Sequence, residues 1–201
     1  MHFFENFTVR QHRSGILSAL TLLLTLCINQ GSVASENPAV PEQSYISCSI
    51  ITSEHLTTLQ LYQRGLSLES ALETLPNISR GAKKRVRYIY DLADSIGILN
   101  AYSDINTNYA RCATKVYIQL GTPAQDKIDY GYYFCAGENK IRYEIILYIN
   151  KYLTLEKVLE STPDTHSDVA MRYYRLISDK GLLSAFDFTA NNLKSCLNNL
   201  R

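Results

Sequence analysis

Apolar residues return every three or four positions along most of this chain, the period of a helix with one buried face. Between Ile51 and Arg64, Leu56, Leu59 and Tyr62 fall on one face, and Gly65 stands where a left-handed residue ends a helix. Ser67 is a good N-cap for a short second helix. Its stripe is Leu68, Ala71, Leu72 and Leu75, and Pro76 stops it. A third helix is expected from Ala82 to Ile96 with Val86, Ile89, Tyr90 and Ala93 inward and Gly97 as its stop. A fourth, from Leu99 to Cys112, carries Tyr102, Ile105 and Tyr109.

The same plan then recurs. Shifting the sequence by 87 positions lays Cys48 on Cys135 and the Leu66–Pro76 segment on Leu153–Pro163. After a three-residue gap, a shift of 84 lays Gly97–Tyr102 on Gly181–Phe186 and Cys112 on Cys196. In the second copy Ile145, Ile146 and Ile149 mark the first helix, Thr154 the next N-cap, and Leu155, Val158 and Leu159 the short helix. Tyr173, Tyr174, Leu176 and Ile177 belong to the third helix, and Phe186, Leu193 and Leu197 to the last. The expectation is an all-α protein of two tandem, internally duplicated four-helix units, residues 48–112 and 135–201. Residues 113–134 break the plan. Val116–Leu120 is apolar and β-branched, and Gly121, Pro123 and Gly131 are breakers, which predicts an extended or irregular crossover. The Tyr130–Phe134 run crowds aromatic rings before Cys135 and is expected to seal the contact between the units, the alternative being that it lines a binding surface.

Residues 1–35 read as a secretory signal: Arg10, His12 and Arg13 are basic, Ile16–Ile28 is apolar, and Ser32–Ser35 offers small residues for cleavage. The apolar stretch is short for a membrane span of about 20 residues, and nothing after Cys27 could cross a bilayer. Residues 36–47, with two prolines, read as an irregular leader. Without the signal, Lys plus Arg falls from 20 to 18 and Asp plus Glu from 19 to 18. A nearly neutral chain argues against nucleic-acid partners, which need a basic excess. Four cysteines remain, and an exported chain with an even number implies a disulfide framework and the oxidative folding machinery that makes it. The pairing is open by composition. Because each copy begins and ends in a cysteine, the duplication favours Cys48 with Cys112 and Cys135 with Cys196. Units of this size hold a marginal core alone, so the staples matter.

Candidate chemistry is sparse. Glu69 and Glu73 stand one turn apart on a helix, as do Glu156 and Glu160. Such pairs could meet across a crevice between the units and serve a hydrolase. The simpler reading is that Glu69 and Glu156 complement the helix dipole while Glu73 and Glu160 are solvated. Arg80, Lys83, Lys84, Arg85 and Arg87 form the sharpest charge feature and have no counterpart in the second copy. A charge run is ordinarily a solvated face, but an asymmetric one at a helix start could hold lipid head groups, lipopolysaccharide or an acidic protein. These five are the candidate binding residues. His55 and His166 occupy different places in the two copies and read as surface or core histidines. No nucleophile elbow, zinc-binding pair of histidines, phosphate loop or C-x-x-C pair is present, so neither a metal nor a cofactor is called for.

Cys48, Gln63–Arg64–Gly65–Leu66–Ser67–Leu68, Ala71–Leu72, Tyr88–Ile89–Tyr90 and Tyr109–Ala110–Arg111–Cys112 together resemble uncharacterised small exported helical proteins of Gram-negative bacteria. Those proteins begin and end in a cysteine and turn through arginine, glycine and serine between their first two helices. The second copy departs from them, with Lys151–Tyr152–Leu153 in place of Arg64–Gly65–Leu66. The resemblance implies a periplasmic or extracellular setting and supplies no functional residues. The expected function is that of an exported, non-enzymatic binding or interaction protein, with the hydrolase as the alternative.

Overall fold

The computed structural model describes residues 43–75, 78–152 and 154–200. The expected signal, the leader up to residue 42 and Pro76 lie outside the described residues. Among those described, the helices are α1 (Tyr45–Gln63), α2 (Leu68–Thr74), α3 (Arg80–Ile96), α4 (Ile98–Leu120), α5 (Ile128–Tyr152), α6 (Leu155–Glu160), α7 (Ser167–Lys180) and α8 (Leu182–Asn198), with a 3-10 turn at Asp164–His166 before α7. They form two tandem four-helix units. Cys48–Cys112 closes the first and Cys135–Cys196 the second, each with Cα atoms 5.9 Å apart.

Local chemistry explains most of the boundaries. Ser44 caps α1 through a reciprocal box: its hydroxyl accepts from the Ser47 amide at 3.0 Å, and the Ser44 amide donates to the Ser47 hydroxyl at 3.0 Å. Ser67 and Ser79 accept from Ser70 and Ala82 amides at the starts of α2 and α3. Thr154 holds the N-cap position of α6, but its side chain makes no cap bond. Gly97 and Gly181 close α3 and α7 and open α4 and α8 with φ of 79° and 81°, a conformation open to glycine.

Two expectations are corrected. α1 begins at Tyr45, inside the expected leader, because the Ser44 box starts it there and Tyr45, Cys48, Ser49 and Thr52 extend the buried stripe of Leu56 and Leu59. The crossover at 113–134 is mostly helical. α4 runs on through Val116–Leu120, since Ala113 and Val116 continue the buried face of Tyr102, Ile105 and Tyr109; burial on one face overrides β-branching. Only residues 121–127 are irregular, and Gly131 lies inside α5 where Leu200 approaches to 2.5 Å of the place a Cβ would take.

One ring of the aromatic run, Tyr133, packs between the units, while Phe134 stays exposed. Tyr133 of α5 is buried, meets Tyr45 of α1 edge-on at 5.4 Å and stacks on Tyr117 of α4 at 6.4 Å. Packing follows the repeat: α1 lies on α3 and α4 as α5 lies on α7 and α8, while α1 and α4 both meet α5 and α8. One core runs through both units. At its centre Tyr102 stacks on Phe186, its own repeat equivalent, at 5.6 Å and 12° between planes. A residue meeting its own equivalent is the mark of a two-fold interface, here fused within one chain. A smaller cluster of Ala71, Val86 and Tyr90 lies under α2, and the Tyr90 hydroxyl donates to the Leu66 carbonyl at 2.9 Å.

Candidate functional site

The predicted basic residues sort themselves by helical position. α3 buries Ala82, Val86, Ile89, Tyr90 and Ala93 and leaves Arg80, Lys83, Lys84 and Arg87 exposed. Those four are spaced i, i+3, i+4 and i+7, so they share one face. Arg85 leaves the group. It turns toward α1, where its Nε and one terminal nitrogen both donate to Glu54 Oε2 at 2.8 and 2.7 Å. The stripe therefore has four members, and no carboxylate pairs with them among the described residues.

The four repeated glutamates are all exposed. Glu69 and Glu156 lie in the first turns of α2 and α6, where the helix dipole favours an anion. Among the described residues, packed and hydrogen-bonded side chains line the seam between the units. Beside the Tyr102–Phe186 stack, the Asn139 amide donates to Asn106 Oδ1 at 2.9 Å, and Ser103 and Thr107 hydrogen-bond the Tyr143 hydroxyl at 2.7 and 2.8 Å. Gln60 of α1 donates to Asp187 at 2.6 Å and to Asn191 at 3.1 Å, and its carbonyl accepts from Lys194. Burial makes the Lys194 ammonium easier to deprotonate than usual, against the pull of Asp187.

A second constellation went unseen in the sequence. Glu138 of α5 holds two side chains from two directions: its Oε1 lies 3.1 Å from His166 Nε2, and its Oε2 accepts from Arg142 at 2.6 Å. His166 Nδ1 lies 2.9 Å from the Thr165 hydroxyl, so both ring nitrogens are engaged. His166 is indeed a core histidine, 6% exposed. The group ties the 3-10 turn before α7 to α5 and aims Arg142 at a hollow of about 460 Å³ between α5, α7 and α8. That hollow carries Arg172, Arg175 and Asp168 over an apolar floor of Val169, Tyr173 and Phe188. Arg172 stacks over the Phe188 ring at 5.7 Å, and burial pushes the Tyr173 phenol up to about 12. A smaller hollow of about 250 Å³ adjoins it at Arg142 and Asn192 and reaches the Cys135–Cys196 bond.

Sequence reasoning could not find this site, because its parts come from positions 28 residues apart on elements with no shared motif. The one available sign was His166 itself, which replaces an alanine-bearing helix start in the first copy. Among the described residues, no group of three or more histidine, cysteine or carboxylate side chains could hold a metal ion, and no helix is long and apolar enough to cross a membrane. No protein family, curated protein or solved structure matches this chain.

Proposed function

We propose that this is an exported binding protein that docks on an anionic component of the cell envelope through α3. The observation that carries the reading is the four-residue cationic stripe, Arg80, Lys83, Lys84 and Arg87, on one exposed face. The two disulfides support an oxidising compartment, and the resemblance to small exported helical proteins points the same way. Each lysine or arginine near an anionic surface contributes about 1 kcal/mol. Reversing three of them should therefore weaken binding by about a hundredfold or more.

The test is sedimentation of the mature protein with vesicles containing phosphatidylglycerol and with neutral vesicles, at low and physiological salt. Preferential, salt-sensitive binding to the anionic vesicles that disappears in Lys83→Glu/Lys84→Glu/Arg87→Glu supports the reading. Equal retention of the triple variant sinks it.

A hydrolase is the second reading, and one observation favours it: Thr165, His166 and Glu138 line up hydroxyl, imidazole and carboxylate. Its acid would come from within the second unit, since the four glutamates first considered are solvated. Turnover of p-nitrophenyl acetate that vanishes in His166→Gln would establish it; no turnover leaves the group as a brace.

A further inference from the structure

Beside the α3 stripe lies an apolar edge open to solvent. α1 and α3 run in the same direction, because Arg85 meets Glu54 and, farther along both helices, the Tyr62 hydroxyl donates to Asp94 at 2.7 Å. Ile50 and Ile51 stand one turn before Glu54 and His55, so they lie beside the start of α3. They are 53% and 40% exposed. Gly81, one turn before Arg85, has no side chain to lay over them, and a Cβ built there would meet only Arg85 and Ser79. Tyr88, 49% exposed, follows Lys84 by one turn on α3 and reaches His55, with ring centroids 6.1 Å apart. The three apolar side chains thus border the stripe on its α1 side. Glu54 lies within this edge, and Arg85 neutralises it.

Scattered exposed apolar residues are ordinary on a protein surface, but these are grouped and set against cations. The second copy lacks both features. The shifts that align the copies lay Ile50 and Ile51 on Gly137 and Glu138, and Lys84 and Tyr88 on Asp168 and Arg172. The shared helical plan therefore requires neither the edge nor the stripe, and the two occur together in the first unit.

Resting on the docking of α3 proposed above, we infer that its anionic partner is a phospholipid bilayer, which Ile50, Ile51 and Tyr88 enter while Arg80, Lys83, Lys84 and Arg87 hold the phosphates. A bilayer presents anionic head groups with hydrocarbon just beneath them, and an amphipathic surface buries its apolar side about 5 to 10 Å into that boundary. The tyrosine ring suits the level of the head groups, with its hydroxyl in water. Charge alone would dock the stripe on any anion; the apolar edge selects one with an oily layer behind it.

The chain has no tryptophan, so one indole can report its own surroundings. The test places it at Ile51→Trp in the intact, oxidised protein, with Leu147→Trp, 41% exposed on α5 of the second unit, as the control. With phosphatidylglycerol vesicles the emission of Ile51→Trp should shift to shorter wavelength and be quenched by brominated acyl chains, while Leu147→Trp stays unchanged. In the sedimentation assay at physiological salt, Ile50→Ser/Ile51→Ser should bind about tenfold more weakly than wild type. Tyr88→Ser should weaken binding in the same direction. Stripe-dependent vesicle binding with no quenching and no loss in the serine variants would overturn the insertion and leave docking by charge intact. A shift with lipopolysaccharide and none with phosphatidylglycerol would overturn the choice of lipid. Wild-type protein that binds no vesicles at all would sink the α3 reading and the insertion together.

Discussion

At the scale of single residues, Glu138 is the most exposed to loss, since its two oxygens hold His166 and Arg142 at the same time. His166 is buried and Glu138 and Arg142 are half-buried, so removing the carboxylate strips both the guanidinium and the imidazole of their shared partner. Breaking such a group costs about 3 kcal/mol. Glu138→Ala should lower the urea midpoint accordingly, with an unchanged slope, while Glu69→Ala on the surface stays near wild type; equal effects would refute the brace. His55 supplies a different residue-level prediction. Burial lowers its pKa, Glu54 and Asp104 pull the other way, and Arg85 adds to the lowering; its Nε2 is buried without a partner. An unfolded histidine takes up a proton near pH 6.5. Between that point and the lower folded value the unfolded state binds more protons, so stability falls as pH falls. Comparing urea midpoints at about pH 7.5 and about pH 5.5, His55→Gln should lose less stability on acidification than wild type. A loss of the same size in both would remove His55 as its source.

At the scale of elements, the joints between α3 and α4 and between α7 and α8 repeat one backbone device. Gly97 and Gly181 combine φ near 80° with ψ of 155° and 170°, a region reached by glycine and little else, and no atom lies within 4 Å of either Cβ position. The cost of alanine there is conformational, about 1 to 3 kcal/mol. Gly81, in the first turn of α3, has an ordinary helical backbone and only van der Waals neighbours at 3.5 and 3.7 Å. Gly81→Ala should therefore raise the melting temperature slightly while Gly97→Ala and Gly181→Ala lower it; a uniform response would refute the distinction. These glycines were legible because a stop residue interrupts an apolar period, and so were the inward faces of α3 and α4. The crossover was not. Val116 and Gly131 carry strand and breaker propensities; Val116 is helical because it is buried in the shared core, and the missing side chain of Gly131 makes room for Leu200, neither of which is local in sequence. The same holds for the candidate sites. Four members of the α3 stripe were readable from spacing, whereas the loss of Arg85 to Glu54 and the meeting of Glu138 with His166 depend on how helices pack.

At the scale of the whole molecule, the two units are duplicated in sequence but share one core, and this decides how the protein unfolds. Each disulfide spans just over 60 residues, 64 and 61, within its own unit. On the chain-entropy account, removing one costs about 4 kcal/mol. Were the units independent, that cost would fall on one of them and the chain would melt in two steps. The Tyr102–Phe186 stack, the Tyr45–Tyr133 contact and the Gln60 and Asn139 hydrogen bonds instead make the inner faces of α1 and α4 depend on those of α5 and α8. A Cys48→Ala/Cys112→Ala variant should then unfold in a single transition at lower temperature, with amide exchange accelerated in α5 and α8 as much as in α1 and α4. Exchange confined to the first unit, or a second transition at the wild-type temperature, would mean that the aromatic seam joins two domains without coupling them. Phe186→Ala tests the coupling from the other side: it leaves both disulfides in place, costs about 3 to 5 kcal/mol as a buried aromatic truncation, and should lower the protection of α4 in the first unit although the mutation lies in the second.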